Sequence, residues 1–264
     1  MRYVFDYWES IAEKMKGRDA FLFLDYDGTL VPITDTPQKA RMPSELKSLL
    51  TELSQIPGCK VAIISGRPLE DIKNIVGIQE IIYVGNHGFE IEGPKIKYKK
   101  QEFTGYREVI DEIKGALHKK LSAIQGVLIE DKGFTLALHY RLADDKNIPA
   151  IKNIFNETTI PYVDKKKIRV RTGKMLLEIR PPVDWDKGKV VLWLLARQRF
   201  ILKDKDVFPV YIGDDTTDED AFKVLKNKGL TIVVDSQKDS SAEYYVKDTA
   251  EVGMVLERMQ GLWA

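Results

Sequence analysis

The chain has little cysteine and no excess of charge of either sign. Cys59 is the one cysteine among 264 residues, so no intrachain disulfide can form, and a reducing compartment is expected. Lysine and arginine number 41 and aspartate and glutamate 40, which gives a formal net charge of +1. Dedicated nucleic-acid binders usually carry a basic excess. The balance therefore argues against nucleic acid as a partner.

Long apolar runs are also absent. The two longest, residues 20–24 and 190–196, are far shorter than the about 20 residues that a membrane-spanning helix needs. Charged residues interrupt every apolar run near the N-terminus, so we expect no signal peptide there. We therefore predict a cytoplasmic protein with no membrane partner.

Three common ligand motifs are missing as well. The chain has no G-x-x-x-x-G-K-S/T loop for nucleoside triphosphates and no G-x-G-x-x-G fingerprint for dinucleotides. Its histidines and its cysteine lack the spacing of a structural zinc site. The sequence thus gives no support for ATP, NAD or zinc as a ligand.

Both ends of the chain alternate short apolar runs with segments of helical periodicity. Such a run is typical of a strand that is buried on both faces of a parallel sheet. Strand–helix alternation favours right-handed crossovers. We therefore predict an α/β fold with a doubly wound, Rossmann-like parallel sheet. The predicted strands lie at 20–24, 60–64, 81–84, 210–212 and 230–234, and the predicted helices at 44–56, 69–76, 187–200 and 219–227.

The middle of the chain has a different pattern. Pairs of apolar runs that resemble hairpins, one with its turn at Gly93-Pro94, are interspersed there with helical segments. Antiparallel pairs with helices between them are typical of a separate α+β unit. We predict that this unit, residues 89–182, is a cap domain inserted into a discontinuous core formed by residues 1–88 and 183–264.

Polar residues follow several of the predicted strands. Ligands of an open parallel sheet bind beyond the carboxyl ends of its strands. Three or more carboxylates cannot share a site as bare anions, so a cation is expected, and hard oxygen ligands suit Mg²⁺. Carboxylates, a hydroxyl group and a lysine around a metal indicate phosphoryl transfer, in which an aspartate can be the nucleophile. The polar segments are Asp25, Asp27, Gly28 and Thr29; Ser65, Gly66 and Arg67; Asn86, His87 and Gly88; and Asp214, Asp215 and Asp218, with Lys187 and Lys189 at a helix start.

These segments resemble known motifs. D-Y-D-G-T-L (25–30), S-G-R (65–67), K-G (187–188) and G-D-D-T-T-D-E-D (213–220) resemble the four motifs of the haloacid dehalogenase (HAD) superfamily of phosphatases. The last motif, with G-N-H-G (85–88) and L-E-I-R-P (177–181), is similar to the trehalose-6-phosphate phosphatase family. The resemblance covers nearly the whole chain. It implies a HAD core with Mg²⁺ as cofactor and a cap that closes over the site and reads the sugar.

The resemblance also implies catalytic roles at matching positions. Asp25 is the expected nucleophile and a metal ligand. Asp27 is the expected general acid/base, and its backbone carbonyl is a further metal ligand. Ser65 and Lys187 are expected to hold the phosphoryl oxygens, and Thr29 to hydrogen-bond near Asp27.

Further metal and substrate residues follow from the same resemblance. Asp214 is expected to bind the metal, and Asp215 and Asp218 to lie beside it in an order that the motif leaves open. Glu178 and Arg180 would be neighbours on one face of a strand, where a structural ion pair is an alternative role. The substrate-binding candidates are Gly28, Thr29, Gly66 and Arg67, and for the sugar His87, Arg141, Lys174, Glu178 and Arg180.

The implied reaction is Mg²⁺-dependent hydrolysis of trehalose 6-phosphate to trehalose and phosphate through an aspartyl-phosphate. Three alternatives stay open: a phosphatase for another sugar phosphate such as sucrose or glucosylglycerol phosphate, a phosphomutase, and a non-catalytic regulatory subunit of a trehalose synthase complex. The presence of Asp25, Asp27, Lys187 and Asp214 argues against the last of these. The expected partners are a sugar phosphate and, as an open alternative, a trehalose-6-phosphate synthase.

Overall fold

The structure of the protein is a computed structural model that describes residues 1–34, 36, 39–99, 105–173, 175–203, 206–235 and 239–263. The chain divides into two compact units. The first comprises residues 1–98 and 185–264, and the second comprises residues 99–184.

The two units contain strands and helices in alternation. The strands are β1 (Arg2–Tyr3), β2 (Asp19–Asp25), β3 (Cys59–Ile64), β4 (Ile82–Gly85), β5 (Glu90–Gly93), β6 (Ile96–Lys99), β7 (Leu128–Asp131), β8 (Leu136–His139), β9 (Arg169–Gly173), β10 (Leu176–Arg180), β11 (Val207–Gly213), β12 (Leu230–Val234) and β13 (Tyr244–Val246). The helices are α1 (Trp8–Met15), α2 (Ser44–Gln55), α3 (Leu69–Val76), α4 (Tyr106–Leu121), α5 (Ile148–Asp164), α6 (Lys187–Ile201), α7 (Glu219–Leu225) and α8 (Thr249–Gln260).

The first unit is built on one nine-stranded sheet in the order β1-β13-β12-β11-β2-β3-β4-β5-β6. Every neighbouring pair from β1 to β4 is parallel, and β4 pairs with β5 antiparallel. The two central strands, β2 and β11, are buried along nearly their whole length. This arrangement confirms the predicted doubly wound parallel sheet.

The apolar run of β2 explains how the sheet is covered on both faces. Leu22 and Leu24 belong to a core cluster that includes side chains of α2, α3 and α8. Phe21 and Phe23 point the other way, into a second cluster with side chains of α6 and α7. Alternate side chains of a strand lie on opposite faces, so a run that is apolar at every position packs against helices on both sides.

The structure differs from the sequence prediction at β11 and at the sheet edges. The predicted strand 210–212 is extended to Val207–Gly213, and Pro209 lies inside it, opposite Phe21. Proline removes one N–H from a ladder, which is why the sequence pattern favoured a shorter strand. Strands β1 and β13 were not predicted, because each is only two or three residues long.

The hairpin of β5 and β6 is a correction to the predicted domain boundary. It was expected to open the inserted unit at residue 89, but it continues the nine-stranded sheet of the first unit through the β4–β5 pairing. The second unit begins at Lys99 and ends at Asp184. A hairpin pattern in a sequence does not tell which sheet the hairpin joins, since that depends on a pairing with another strand.

The second unit is an antiparallel sheet covered by two helices. Its strand order is β7-β8-β10-β9, and all three pairings are antiparallel. Leu136 and Leu138 of β8 and Leu177 and Ile179 of β10 pack against α4 and α5 in one apolar cluster. The alternate residues therefore lie on the opposite face of the sheet, and Glu178 and Arg180 are among them.

Within the described ranges, no helix combines the length and the apolarity that crossing a bilayer requires.

An ion-pair cluster on β7 gives a test of the second unit. Asp131 accepts hydrogen bonds from Arg107 Nη1 and Lys114 Nζ, each at 3.0 Å, and from the Gly133 N–H at 3.0 Å. The Arg107 guanidinium holds the pKa of Asp131 well below its usual range. A lowered pKa in the folded state stabilises the fold above the ordinary carboxyl pKa, and this stabilisation is lost as the pH falls through the folded-state value.

We therefore expect Asp131→Asn to lower the free energy of unfolding by about 1–2 kcal/mol at pH 7, and by much less near pH 2. Urea unfolding followed by circular dichroism measures both values. Asp111→Asn is the control, because Asp111 is an exposed partner of the same arginine and such pairs contribute roughly 0.3–0.5 kcal/mol. An equal loss for Asp131→Asn at both pH values would contradict the ion-pair explanation.

Candidate active site

Four parallel strands end at one edge of the sheet in the first unit. Asp25 is the last residue of β2, Ser65 follows β3, and Asn86 follows β4. Asp214 follows β11, and Lys187 is the first residue of α6. Because the carboxyl ends of parallel strands meet at the same edge, the sheet brings the sequence-predicted residues of the first unit together there.

Asp25 is a buried carboxylate with two partners. Its Oδ1 accepts a hydrogen bond from Lys187 Nζ at 2.6 Å, and its Oδ2 accepts one from the Thr29 hydroxyl at 3.2 Å. Thr29, which was expected to hydrogen-bond near Asp27, therefore bonds to Asp25, two residues before Asp27. The tight turn after β2 carries the Thr29 side chain back onto Asp25, since the Thr29 N–H and the Leu30 N–H both donate to the Tyr26 carbonyl.

Gly28 lets the backbone approach Asp214 closely. Its φ is +93°, and a Cβ atom at this position would lie 2.4–2.7 Å from the Asp214 carboxyl group. Only glycine adopts this conformation at low cost and leaves room for the carboxylate. Gly28 therefore brings the loop after β2 and the loop after β11 into contact.

The charges of the cluster do not balance. Ligand atoms of Asp25, Asp214 and Asp218 all lie within 4.8 Å of one another, and the three residues are buried. Lys187 is 3% exposed and bonds to Asp25 and to Asp218 Oδ1, at 2.6 and 2.7 Å. Three carboxylates around one ammonium group leave an excess of negative charge.

The pKa values report the same imbalance. Burial raises the pKa of Asp25 well above its ordinary value, and the Asp218 and Asp214 charges add to this rise while Lys187 opposes it. Burial lowers the pKa of Lys187, but the Asp218 and Asp25 carboxylates outweigh it and raise that pKa overall. Both shifts would be relieved if a cation added positive charge beside the carboxylates.

The cluster fits a divalent cation. Buried carboxylate oxygens are hard ligands, and an excess of negative charge is what a metal ion would neutralise. Asp25 and Asp214 both lie at the sheet edge, and Asp215 lies one residue further on, partly exposed. The donor set therefore agrees with the metal that the sequence motifs imply.

Asp27 lies beside Arg67 in a two-point ion pair. Arg67 Nε donates to Asp27 Oδ2 at 2.7 Å, and Nη2 donates to Oδ1 at 2.6 Å. The Asp27 side chain is 39% exposed, in contrast to Asp25. The arginine also lies over the Tyr26 ring, with 5.5 Å between its Cζ and the ring centroid. This pairing fixes the orientation of the Asp27 carboxylate.

The loops after β3 and β4 are joined through their backbones. The Asn86 N–H donates to the Arg67 carbonyl at 2.7 Å, and the His87 N–H donates to the Ser65 carbonyl at 3.0 Å. Ser65 Oγ accepts the Arg67 N–H at 3.1 Å. The His87 ring lies against Gly66, where a Cβ atom would approach it to 2.6 Å. His87 is thus held beside the Ser65 loop by close packing.

The sugar-binding candidates of the second unit divide into described and undescribed positions. Glu178 is buried on β10, where its Oε2 accepts a hydrogen bond from Arg180 Nε at 2.6 Å. The ion pair that the sequence analysis raised as an alternative is therefore present. Arg141 lies in the turn after β8, partly exposed. Lys174 lies outside the residues that the structure describes.

The structure adds polar residues that sequence reasoning missed. Thr135 donates to Glu178 Oε1 at 3.2 Å, and Lys132 Nζ lies 3.7 Å from the same oxygen and 3.7 Å from Glu130 Oε2. The register places Ala137 opposite Glu178, so residues near β8 become its neighbours. In the first unit, Tyr211 donates to Asp218. Of these residues, only Tyr211 could have been singled out from the sequence, because it places a polar phenol in an otherwise apolar strand.

The nine-stranded, mainly parallel sheet and its motif positions define a member of the HAD superfamily. The profile of the family described as trehalose-phosphatase matches residues 23–250. The chain belongs to the trehalose-phosphatase family.

Relatives and solved structures agree with this assignment. The chain is 37% identical to trehalose-phosphate phosphatase B of Arabidopsis thaliana over 265 residues, which is 96% of this chain and 69% of that protein. Its fold is similar to that of the C-terminal domain of the Candida albicans trehalose-6-phosphate phosphatase, with a TM-score of 0.79, 26% identity and coverage of 95% and 94% of the two chains. The C-terminal domain of the Candida albicans trehalose synthase regulatory protein shares the fold, at a TM-score of 0.71, 15% identity and 96% coverage of both chains.

The contact between Gly28 and Asp214 gives a test of the metal site. A methyl group at position 28 would displace the Asp214 carboxylate, so we expect Gly28→Ala to weaken Mg²⁺ binding about tenfold or more. Isothermal titration calorimetry with MgCl₂ measures the affinity. Gly17→Ala is the control, because Gly17 also has a positive φ but a Cβ there meets nothing within 4 Å. Equal Mg²⁺ affinity in both variants would show that Asp214 does not depend on Gly28.

Proposed function

We propose that this chain hydrolyses trehalose 6-phosphate to trehalose and phosphate, a reaction of trehalose biosynthesis, with Mg²⁺ as the cofactor. The observation that carries the proposal is the buried contact between Asp25 and Lys187, at 2.6 Å, at the motif positions of a trehalose-phosphatase family member. A buried aspartate beside an ammonium group is suited to attack a phosphoryl group, because the ammonium group offsets the charge of the phosphoryl oxygens.

The reaction has two displacement steps. In the first, a carboxylate oxygen of Asp25 forms a bond to phosphorus, and the bond from phosphorus to the sugar oxygen breaks. Asp27 donates a proton to that leaving oxygen. In the second, Asp27 takes a proton from water, and the water oxygen attacks phosphorus and releases phosphate from Asp25.

Arg67 has a place in this scheme through Asp27. The two-point ion pair holds both oxygens of the Asp27 carboxylate. For the acid step, one oxygen must leave Arg67 and carry the proton, while the hydrogen bond to the other keeps the side chain in position. Ser65 and Lys187 bind the phosphoryl oxygens, and Gly28 and Gly66 allow close approach of the loops around them. Thr29 holds Asp25 through its hydroxyl group.

In this proposal Asp25, Asp214 and the backbone carbonyl of Asp27 would hold Mg²⁺, with Asp215 and Asp218 beside them. The ion would supply positive charge to neutralise and orient the transferring phosphoryl group.

The second unit supplies the sugar specificity in this proposal. Hydroxyl groups are distinguished by buried polar partners, since partners left unpaired penalise a wrong ligand. Glu178 offers a buried carboxylate with Thr135, Lys132 and Arg180 around it. His87, Arg141 and Lys174 complete the predicted set, together with Glu130, which the sequence analysis did not include.

Two alternatives are distinguished by simple observations. A phosphatase for another sugar phosphate would prefer a different member of a substrate panel. A non-catalytic regulatory role has one observation in its favour, the fold shared with the Candida albicans trehalose synthase regulatory protein. Against it, the buried Asp25–Lys187 contact is intact here. A cytoplasmic location and a synthase partner remain predictions.

Phosphate release from a panel of sugar phosphates with MgCl₂ tests the proposed function. We expect trehalose 6-phosphate to be hydrolysed fastest, without a phosphorylated activator, and EDTA to abolish the activity. Asp25→Asn removes the attacking charge and should lower kcat by several orders of magnitude while the fold persists, because it relieves like-charge repulsion. Faster hydrolysis of another sugar phosphate would contradict the substrate assignment, and persistent activity in Asp25→Asn would contradict the nucleophile.

A second prediction concerns the sugar. Glu178→Gln keeps the shape of the side chain but removes its charge, so we expect kcat/KM for trehalose 6-phosphate to fall roughly tenfold or more. Hydrolysis of p-nitrophenyl phosphate, which has no sugar, should stay within about twofold of wild type. Glu108→Gln is the control, since Glu108 is exposed on α4 of the same unit. If both substrates lose activity equally, Glu178 has only a structural role.

A further inference from the structure

Tyr211 is a buried polar group that the proposed reaction does not yet use. It lies in β11, where every other side chain is apolar, and its ring packs edge-on against Phe222 with 5.6 Å between centroids. A phenol inside an apolar core needs a hydrogen-bond partner, because an unpaired buried hydroxyl group costs free energy. The Tyr211 hydroxyl donates to Asp218 Oδ1 at 2.7 Å.

Asp218 receives hydrogen bonds on both carboxylate oxygens. Oδ1 accepts from the Tyr211 hydroxyl and from Lys187 Nζ, each at 2.7 Å. Oδ2 accepts from the backbone N–H groups of Asp214 and Asp215, at 3.1 and 2.9 Å. A carboxylate has about four acceptor sites, and four donors fill them. A metal ion could bind Asp218 only by displacing one of these donors, so the geometry suits an anchor better than a ligand.

We propose that Tyr211 and Asp218 are positioning residues for Lys187. This inference rests on the proposed function. An ammonium group has three donors, and Lys187 directs one to Asp25 Oδ1 and one to Asp218 Oδ1. The remaining N–H is the one that binds a phosphoryl oxygen in this proposal.

The Asp218 carboxylate is rigid because each of its oxygens is held by different donors. The two backbone N–H groups fix Oδ2, and the Tyr211 hydroxyl fixes Oδ1, so the carboxylate cannot rotate to follow Lys187. Lys187 must then stay beside Asp25, which is where the transition state needs its charge. A misplacement of about 1 Å in such a group can cost roughly 100-fold in rate.

Tyr211→Phe tests the positioning role. The ring and its packing remain, and only the hydroxyl group is lost. We expect kcat for trehalose 6-phosphate to fall roughly 10- to 100-fold with KM changed by less than about twofold. The Kd of orthovanadate, a mimic of the transferring phosphoryl group, should rise by a similar factor in calorimetry with MgCl₂. When thermal unfolding shows that the variant is fully folded at the assay temperature, a merely structural role would leave this Kd unchanged.

Tyr83→Phe is the matched control. Tyr83 is also buried in the first unit, and its hydroxyl donates to the Ile78 carbonyl at 2.7 Å and accepts the Ile78 N–H at 2.9 Å. Its loss should lower stability while kcat, KM and the vanadate Kd stay at wild-type values. An unchanged vanadate Kd in Tyr211→Phe would overturn the role of Tyr211.

A crystal structure of the wild-type protein grown with MgCl₂ tests the role of Asp218. We expect its oxygens to keep all four donors and to lie beyond the roughly 2.1 Å ligand distance of Mg²⁺. A direct bond between Asp218 and the metal would overturn the anchor. Vanadate binding and the crystal structure need no turnover, so a wild-type protein without phosphatase activity would contradict the proposed function and not this inference.

Discussion

The ammonium group of Lys187 lies inside the protein between the carboxylates of Asp25 and Asp218, and the catalytic edge is arranged around it. An isolated buried ammonium group would lose its charge, so Lys187 depends on both carboxylates. The carboxylates depend on it in turn, and with Asp214 they still exceed it in charge. Removing Lys187 would be strongly destabilising, because the carboxylate charges would then stay buried without a cation. The cluster therefore behaves as one unit, and a cation completes it.

Burying like charges costs free energy, and the apolar strands beneath the cluster offset this cost. Strands β2 and β11 are neighbours at the centre of the sheet, with Leu24 opposite Ile212 in the register. Strand β2 is buried up to its last residue, Asp25, and β11 is buried up to Gly213, just before Asp214. Burial of the strands below thus stabilises a fold whose edge holds like charges.

Local sequence patterns predicted much of this fold for a physical reason. A run such as residues 20–24 is apolar on both faces, which is typical of a buried strand, and Asp25 at its end lies at the sheet edge. Features that depend on pairing were missed or misassigned. The hairpin of β5 and β6 joined the first unit, and Pro209 proved compatible with a central strand. Periodicity describes one segment at a time, whereas a pairing depends on two.

The site followed the same division. Motif spacing was sufficient to predict that Asp25, Lys187 and Asp214 lie at one edge of the sheet, because each follows or ends a strand or begins a helix. Motif spacing did not predict the hydrogen-bond partner of each side chain. Thr29 bonds to Asp25, and Tyr211 bonds to Asp218, seven residues further along the chain. Those contacts depend on a turn and on the direction of one side chain, which residue types alone do not specify.

Hydrogen bonds also join the neighbouring loops at the catalytic edge. Asn86 and His87 both have positive φ angles, 48° and 55°, a conformation that costs roughly 1–3 kcal/mol per residue. Their N–H groups bond to the carbonyls of Arg67 and Ser65, which helps to hold them there. Arg67 in turn holds Asp27 through two hydrogen bonds. The orientation of the proposed acid/base thus depends on a chain of contacts that begins after β4, passes through the loop after β3 and ends after β2. The hydrogen bonds between these two loops offset part of the strain at Asn86 and His87.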